Sequence, residues 1–191
     1  MSSMIQIEPA SSECWDDLER LFGARGACGG CWCMWYRLPR AEYERQKGAG
    51  NRAELRRLLG AGQPAGVIAY AGEEPIGWCA VAPRAAFTRL ERARTLRPVD
   101  EQPVWSVVCV FVARTHRRRG VSVALLRGAA AYAKSLGARI VEGYPVEPRS
   151  GPIPAVFAHP GIPSAFLSAG FTEVARPSPS RLIVRRFVDT E

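Results

Sequence analysis

Hydrophobic positions recur along the chain with two periods, and the change from one to the other marks its central segment. Residues 105–112 are almost all apolar or β-branched, over a length typical of a strand buried on both faces. From Val121 to Leu136 the apolar positions recur every three or four residues, as they do on one face of a helix. Gly137 follows, at the place where a left-handed residue often ends a helix. The pattern predicts a buried strand, a polar turn and a helix.

Shorter segments with the same two periods flank this centre. Further strands are predicted at 5–7, 65–70, 75–81, 138–144, 171–175 and 182–187. Further helices are predicted after Ser11 or Ser12, over 41–47, from an Asn51 cap to Leu59, and over 165–169. The strand at 138–144 should run parallel to 105–112, because a helix connects them. Residues 145–163 are rich in proline and predict a long loop. The order of elements predicts one α/β domain over residues 1–191.

The polar turn of the central segment is strongly basic and ends in a glycine. Arginines recur from Arg114 to Arg119, and Gly120 stands directly before the helix. A helix N-terminus offers unpaired N–H groups and the positive end of the helix dipole. Glycine lets a ligand approach the backbone, and arginine adds forked donors. These features predict a site for phosphate or pyrophosphate. Neither G-x-x-x-x-G-K-[ST] nor G-x-G-x-x-G is present.

Residues 112–122 resemble the acetyl-CoA signature V-x-P-x-x-R-x-x-G-x-[GA] of the GNAT N-acetyltransferase superfamily. Arg117 falls on the Q/R position and Gly120 on the glycine, whereas Ser122 replaces the usual Gly or Ala. The ending Phe166-Leu167-Ser168-Ala169-Gly170-Phe171 is similar to another mark of that family. The resemblance implies a GNAT-like fold, in which a mixed central sheet with two splayed parallel strands is flanked by helices.

The resemblance also implies acetyl-CoA as cosubstrate. The pantetheine arm would lie in the gap between the splayed strands, against Val110, Phe111 and Val112. The pyrophosphate would be held by the turn and the start of the helix, at Arg117, Arg118, Arg119, Gly120, Val121 and Ser122. A primary amine would attack the thioester directly in a ternary complex, after a general base has taken its proton.

The proton-transfer groups are less well indicated. The family's usual acid, a tyrosine, is replaced here by Phe166. Glu142 and Tyr144 lie two residues apart on one strand, hence on one face, and are a candidate base and acid. The alternative is a paired structural carboxylate beside a packed tyrosine. His159 is the other candidate base, although a single histidine in a loop is often merely exposed.

Residues 28–36 contain three cysteines among aromatic side chains. The spacing Cys28-x-x-Cys31-x-Cys33 resembles half of a zinc site, but no second pair follows, so no metal is predicted. A nucleophilic cysteine would need a lowered pKa. The family resemblance implies instead that this region lines the acceptor pocket, through Trp32, Trp35 and Tyr36. The remaining interpretation is a loop packed over the sheet. Cys79 and Cys109 fall in apolar runs and are expected in the core.

Composition limits the class of protein. The net charge of +8 suits a ligand with several phosphates, and nucleic acid is a second candidate. No apolar run approaches the roughly 20 residues of a membrane span, and no signal peptide is recognised, so a cytoplasmic location is expected. The expected acceptor is a small-molecule or peptide amine of unspecified identity. Two rival functions stay open: a CoA-binding sensor without turnover, and a basic nucleic-acid-binding module on Arg114–Arg119.

Overall fold

Seven strands and six α-helices make up the part of the chain that the computed structural model describes, residues 4–147 and 158–188. The strands are β1 (Ile5–Pro9), β2 (Gly66–Ala71), β3 (Glu74–Pro83), β4 (Trp105–Val112), β5 (Ile140–Gly143), β6 (Thr172–Ser178) and β7 (Arg181–Phe187). The helices are α1 (Trp15–Phe22), α2 (Arg40–Arg45), α3 (Ala49–Gly60), α4 (Thr88–Arg92), α5 (Val121–Ser135) and α6 (Pro163–Ser168). Short 3₁₀ turns stand at Ser12–Cys14, Arg84–Ala86 and Arg114–His116.

The strands form one mixed sheet in the order β1-β2-β3-β4-β5-β7-β6. Strands β4 and β5 are parallel, as the connecting helix predicts, and the other neighbouring pairs are antiparallel. Because β7 pairs with β5, the last hairpin folds back and places β6 at the edge. The predicted α/β class with helices flanking a mixed sheet is confirmed.

Strands β4 and β5 pair over only three positions, from Trp105 opposite Val141 to Val107 opposite Gly143. Strand β5 ends there, whereas β4 continues to Val112. Within the described residues, no neighbouring strand therefore covers this edge of the second half of β4. We call this opening the β4–β5 gap. It also explains why residues 109–112 are only half-buried, whereas full burial on both faces was predicted for the strand.

Each face of the sheet carries its own apolar core. Helix α5 packs on one face, together with Phe166 of α6, whereas α1, α3 and the 26–38 segment cover the other. Gly128 brings α5 close to β1, because any Cβ at this position would clash with Ile7. Glycine at this point thus sets the distance between helix and sheet.

Several local expectations were wrong. Asn51 does not cap α3, since the helix begins at Ala49 and the buried Asn51 amide donates to the Gly30 carbonyl at 3.0 Å. Cys109 is half-buried rather than a core residue. The 84–103 segment contains α4, where no helix was predicted. Most of the predicted 145–163 loop, residues 148–157, lies outside the described residues. Among the helices described, none combines the length and apolar character needed to cross a membrane.

Candidate active site

The basic turn begins α5 as the sequence predicts. Gly120 is in the left-handed conformation, with φ +77° and ψ 1°, and its carbonyl accepts the first bond of α5 from Ala124 N–H at 3.0 Å. Arg118 also has a positive φ, of +60°. Both residues precede the helix, whose first N–H groups have no partner within the helix. This geometry is compatible with the predicted anion site at the α5 N-terminus.

A cavity of about 310 Å³ opens beside this turn. It is lined by Val112, by His116 to Arg118, by the first turn of α5 and by Ser164 of α6. The side chains of Arg117, Arg118 and Arg119 are exposed, and Arg117 Nε also donates to the Val112 carbonyl at 3.2 Å. The predicted phosphate-binding turn thus borders a real concavity, continuous with the end of β4.

Strand β4 carries a bulge next to the β4–β5 gap. Ala80 pairs with Cys109 and Val81 pairs with Val107, so Val108 has no partner of its own on β3. Val108 and Cys109 both contact the core under α1, whereas Val107 and Val110 contact the core under α5. A bulge of this kind reverses the alternation of the following side chains. It also leaves the Val110 N–H facing the gap, where it donates to the His159 carbonyl at 2.7 Å.

His159 and Tyr36 meet at the mouth of this gap. Their ring centroids are 6.2 Å apart, both side chains are mostly buried, and burial raises the pKa of Tyr36. Trp35 is more open, with 38% of its surface exposed, and the Arg89 guanidinium lies 3.8 Å from its ring centroid. The structure thus brings together Val110, Tyr36 and His159, which the sequence places far apart.

Other predicted site residues lie elsewhere. Trp32 is only 6% exposed and stacks on Trp15 at 5.8 Å, within the core on the α1 side. Phe166 is fully buried against Phe171, with ring centroids 5.1 Å apart, and it packs directly on Gly143. The position of the family's usual tyrosine is therefore filled here by a core side chain.

Glu142 is completely buried in a network of charged and hydroxyl groups. Arg185 Nε donates to its Oε2 at 2.8 Å, and Tyr144 OH donates to its Oε1 at 2.7 Å. Arg84 Nη1 lies 3.4 Å from the same Oε1 and donates to Tyr144 OH at 2.8 Å. Ser106 completes the set, 2.8 Å from Tyr144 OH. These contacts occupy both carboxylate oxygens, and burial raises the pKa of Tyr144.

The six cysteines are unbridged, and three of them form a close group. Cys33 Sγ lies 3.8 Å from Cys109 Sγ on the bulge of β4. Cys31 hydrogen-bonds with Cys33, and its Sγ also lies 3.4 Å from the Gly26 carbonyl oxygen. Cys28 is exposed. Within residues 4–147 and 158–188, no three His, Cys, Asp or Glu side chains are arranged to hold a metal ion.

Sequence reasoning missed the partners of Glu142. Arg84 and Arg185 are buried, although arginine is rarely so. One signal was available: Arg185 directly follows three apolar residues of a strand, at a position where a buried charge must be paired with another charge. The contact between Cys33 and Cys109 left no such sign, because 76 residues separate them and an unpredicted bulge turns Cys109 towards its partner.

Comparison with known proteins agrees with this architecture. The sequence profile of the Acetyltransferase (GNAT) family matches residues 32–147. That match covers more than half of the chain and includes the gap, the turn and α5. The chain therefore belongs to the GNAT acetyltransferase family. A search of curated proteins gives no match.

Solved structures share the fold at low sequence identity. A GNAT-family acetyltransferase from Streptococcus agalactiae has a TM-score of 0.57 and 12% identity, covering 97% of this chain and 96% of that one. The PaiA N-acetyltransferase from Thermoplasma acidophilum, in complex with coenzyme A, has a TM-score of 0.52 and 15% identity, covering 97% and 99%. NAA60 from Arabidopsis thaliana, in complex with acetyl-CoA, has a TM-score of 0.50 and 13% identity, covering 97% and 100%.

Proposed function

We propose that this protein is an N-acetyltransferase that transfers the acetyl group of acetyl-CoA to a primary amine. The observation that carries the proposal is the continuity of three features: the uncovered edge of β4, the left-handed turn at Gly120, and the cavity beside it. Together they form a path from the Val110 N–H to an anion site, as an elongated ligand with a diphosphate needs. The CoA and acetyl-CoA complexes of proteins with this fold support the same ligand here.

The residues present fit this cosubstrate. The diphosphate would meet the backbone of Gly120 to Ser122 and the charges of Arg117, Arg118 and Arg119, because a helix N-terminus and arginines both favour anions. The pantetheine amides would bond with the β4 backbone at Val110 to Val112. At Val110 they would replace the His159 carbonyl as the acceptor of the N–H. That exchange leaves the donor satisfied in both states.

The acetyl-transfer step would take place at the mouth of the gap. The amine would approach from the side of Trp35 and Tyr36, and would attack the thioester carbon directly, with CoA thiolate as the leaving group. Because the pKa of an ordinary thiol is about 8.5, the thiolate can leave without a strong acid. The fully buried Phe166 therefore does not preclude transfer.

The general base is better assigned to His159 than to Glu142. His159 lies at the gap beside Tyr36, whereas both Glu142 oxygens contact donors in a buried network. A base must come within hydrogen-bond reach of the amine, directly or through one water. We therefore propose that Glu142 and Tyr144 hold the sheet together, and that His159 accepts the proton.

Thermal melting tests the binding half of the proposal. The protein is melted with acetyl-CoA, with free adenosine, and with a short DNA duplex, at low and at moderate salt. Acetyl-CoA at a hundred times its Kd should add about 2.7 kcal/mol of stability, roughly 5–10 °C in Tm for a chain of this size. Stabilisation by the duplex alone, lost at moderate salt, would instead identify a nucleic-acid-binding module.

Turnover tests the chemical half. Acetylated product is measured by mass spectrometry over a panel of small-molecule and peptide amines. Product formation that depends on both the enzyme and acetyl-CoA supports the proposal. Binding of acetyl-CoA without transfer to any amine in the panel would favour a CoA-binding sensor.

A further inference from the structure

The cysteine group beside the β4–β5 gap has no part in the function proposed above. Cys33 belongs to the 26–38 segment, and Cys109 to the bulge of β4, yet their sulfurs are 3.8 Å apart. A disulfide has an S–S length of about 2.05 Å, so closing the bond needs a movement of about 1.8 Å. Rotation about the two Cα–Cβ bonds can supply a shift of that size. The backbone therefore already holds these two thiols close to bonding distance.

Two features of the backbone hold this pair together. The bulge at Val108 places the Cys109 side chain on the α1 side of the sheet, where strict alternation would place it on the opposite side. On the facing segment, Trp32 and Cys33 have positive φ values of +41° and +56°, rare for residues other than glycine. Packing of Trp32 against Trp15 and Phe22 maintains this conformation. Strain of this kind is most often retained at functional sites.

We propose that Cys31, Cys33 and Cys109 form a peroxide-sensitive thiol site whose oxidised product is a Cys33–Cys109 disulfide. Cys31 is the outer member and is partly exposed, Cys33 is buried in the middle, and Cys109 lies on the strand. The hydrogen bond with Cys33 lowers the pKa of Cys31 to about 6, which favours its thiolate form. Hydrogen bonding to Cys109 and to Cys31, together with burial, raises the pKa of Cys33.

The reaction balances with hydrogen peroxide as the oxidant. The Cys31 thiolate attacks one peroxide oxygen, and protonation of the departing hydroxide gives water and a sulfenic acid. The Cys33 sulfur then displaces the hydroxyl of that sulfenic acid as a second water, which leaves a Cys31–Cys33 disulfide. Finally Cys109 attacks the Cys33 sulfur, and Cys31 leaves as the thiolate. Overall two thiols lose two electrons and two protons, and peroxide becomes two waters. The lowered pKa of Cys31 favours it as the leaving group in the last exchange.

The bond would connect the acceptor side of the site to the cofactor strand. Cys109 directly precedes Val110, whose N–H faces the gap, and Cys33 lies three residues before Tyr36. Fixing these two segments to each other would prevent independent adjustment of the acceptor wall and of β4. We therefore infer that oxidation inhibits acetyl transfer, a consequence that rests on the proposed function, whereas the disulfide itself does not.

Peptide mapping tests the chemistry without any need for activity. Reduced full-length protein is treated with hydrogen peroxide, unfolded, alkylated and digested with trypsin under non-reducing conditions. The expected product links peptide 26–37 to peptide 95–114, in which Cys109 is the single cysteine. Because peptide 26–37 contains three cysteines, single serine variants identify the one used. Cys33→Ser should abolish the link, as should Cys109→Ser, whereas the matched control Cys28→Ser should retain it. Cys31→Ser should form it about tenfold more slowly or worse, because the reactive thiolate is missing.

Three results would overturn the site. These are a link that persists in Cys33→Ser, peroxide damage that ends in sulfinic acid with no link to peptide 95–114, and thiols that stay unoxidised at peroxide levels that modify free cysteine. The peptide map of the wild-type protein is made first, and the absence of the link there contradicts the proposal even if a serine variant fails to fold.

Activity provides the second readout. In oxidised wild type, turnover should fall in proportion to the linked fraction and return after reduction with dithiothreitol, whereas Cys33→Ser should keep its own turnover after peroxide. Full turnover in fully linked protein would contradict inhibition. If the reduced protein neither binds acetyl-CoA nor acetylates an amine, then the proposed function fails, while the map still decides the thiol site.

Discussion

At Gly120 the backbone is left-handed, and a Cβ added there would have no atom within 4 Å. A side chain at this residue therefore extends towards the cavity without a clash inside the protein. Replacing Gly120 by Asp puts a negative charge where a diphosphate would bind. At about 6 Å and an effective dielectric constant near 20, the repulsion is about 2–3 kcal/mol, so acetyl-CoA affinity should fall roughly 30- to 100-fold. Isothermal titration calorimetry measures the change.

Gly120→Asn is the matched control for this substitution. Asparagine has nearly the shape of aspartate and tolerates the left-handed conformation about as well, but carries no charge. It should retain most of the affinity. Equal acetyl-CoA affinity of the wild type, Gly120→Asp and Gly120→Asn would show that the diphosphate does not bind at this turn.

Glu142 is predicted to contribute to stability. Glu142→Gln keeps the side-chain shape but removes the charge that Arg185 and Arg84 contact inside the protein. Breaking a buried ion pair from one side costs about 3 kcal/mol, so Tm should fall by roughly 6–12 °C. Chemical denaturation gives the loss directly. A fall of kcat by about 10²-fold with an unchanged Tm would restore Glu142 as the candidate base.

His159 is predicted to behave in the opposite way. Glutamine cannot accept a proton at neutral pH, so His159→Gln should lower kcat by about 10²-fold, a typical loss for a general base. Its Tm should stay close to that of the wild type, because the carbonyl that accepts from Val110 N–H belongs to the backbone. The measurement is kcat against pH for both proteins. A variant with the wild-type pH profile would exclude His159 as the base.

At the scale of elements, the exposed Asp100 carboxylate links the connection between α4 and β4 to strand β7. Arg185 donates to both Asp100 oxygens, at 2.6 and 3.1 Å, and this pairing lowers the pKa of Asp100 to about 2. A carboxyl with a lowered pKa stabilises the fold above its unfolded pKa, near 3.8, and loses that contribution as pH falls towards 2. Asp100→Asn should therefore melt below wild type above pH 4, and the difference should vanish as the pH approaches 2.

A neighbouring carboxylate provides the control. Glu101→Gln changes one exposed charge in the same connection, and its difference from wild type should not follow this pH dependence. Parallel curves for Asp100→Asn and wild type between pH 5 and pH 2 would mean that the Arg185 pair adds nothing to stability.

Helices and strands with a clear hydrophobic period were predictable from the sequence, whereas the β-bulge in β4 and the start of α3 were not. The bounds of β4 agree with the prediction, because an eight-residue, mostly apolar run that includes four valines has no competing helical period. The bulge at Val108 could not be predicted, since nothing in the sequence Val-Val-Cys-Val marks where the alternation of side chains between the two faces of the sheet changes. The burial of Cys109 was misjudged because β5 ends before this residue and leaves the edge of β4 open. The Asn51 cap failed because the helix already starts at Ala49, and tertiary bonding to Gly30 uses the amide.

For the whole molecule, sheet order was beyond the sequence reasoning even though most strands were found. The parallel β4–β5 pair followed from the intervening helix, but the insertion of β7 between β5 and β6 depends on long-range pairing. The conformation of the turn before α5 was predictable, because one local motif builds it. It was not predictable where distant segments meet, as at Tyr36, His159 and Val110, or in the network around Glu142.

The net charge of +8 should act on association with acetyl-CoA. A long-range positive field attracts a phosphate-rich ligand, and salt screens the attraction over about 10 Å at 0.1 M. Raising the salt from about 20 mM to 200 mM should lower the association rate constant about three- to tenfold, with a smaller change in the dissociation rate constant. Stopped-flow kinetics measures both, and S-acetylpantetheine, which lacks phosphates, is the control. Equal salt dependence for the two ligands would contradict steering by charge.

In the binding mode proposed above, the His159 carbonyl competes with the cosubstrate for the Val110 N–H. A ligand amide that binds the Val110 N–H gains only the difference in free energy between its own hydrogen bond and the bond to the His159 carbonyl. The observed affinity is lowered in proportion to the fraction of molecules in which the His159 carbonyl has left the Val110 N–H. Sequence changes around 158–161 would therefore alter the concentration of cosubstrate at which half of the molecules are occupied, without changing the Val110 N–H itself. A protein built in this way can follow the level of acetyl-CoA over different ranges by varying one short segment of backbone.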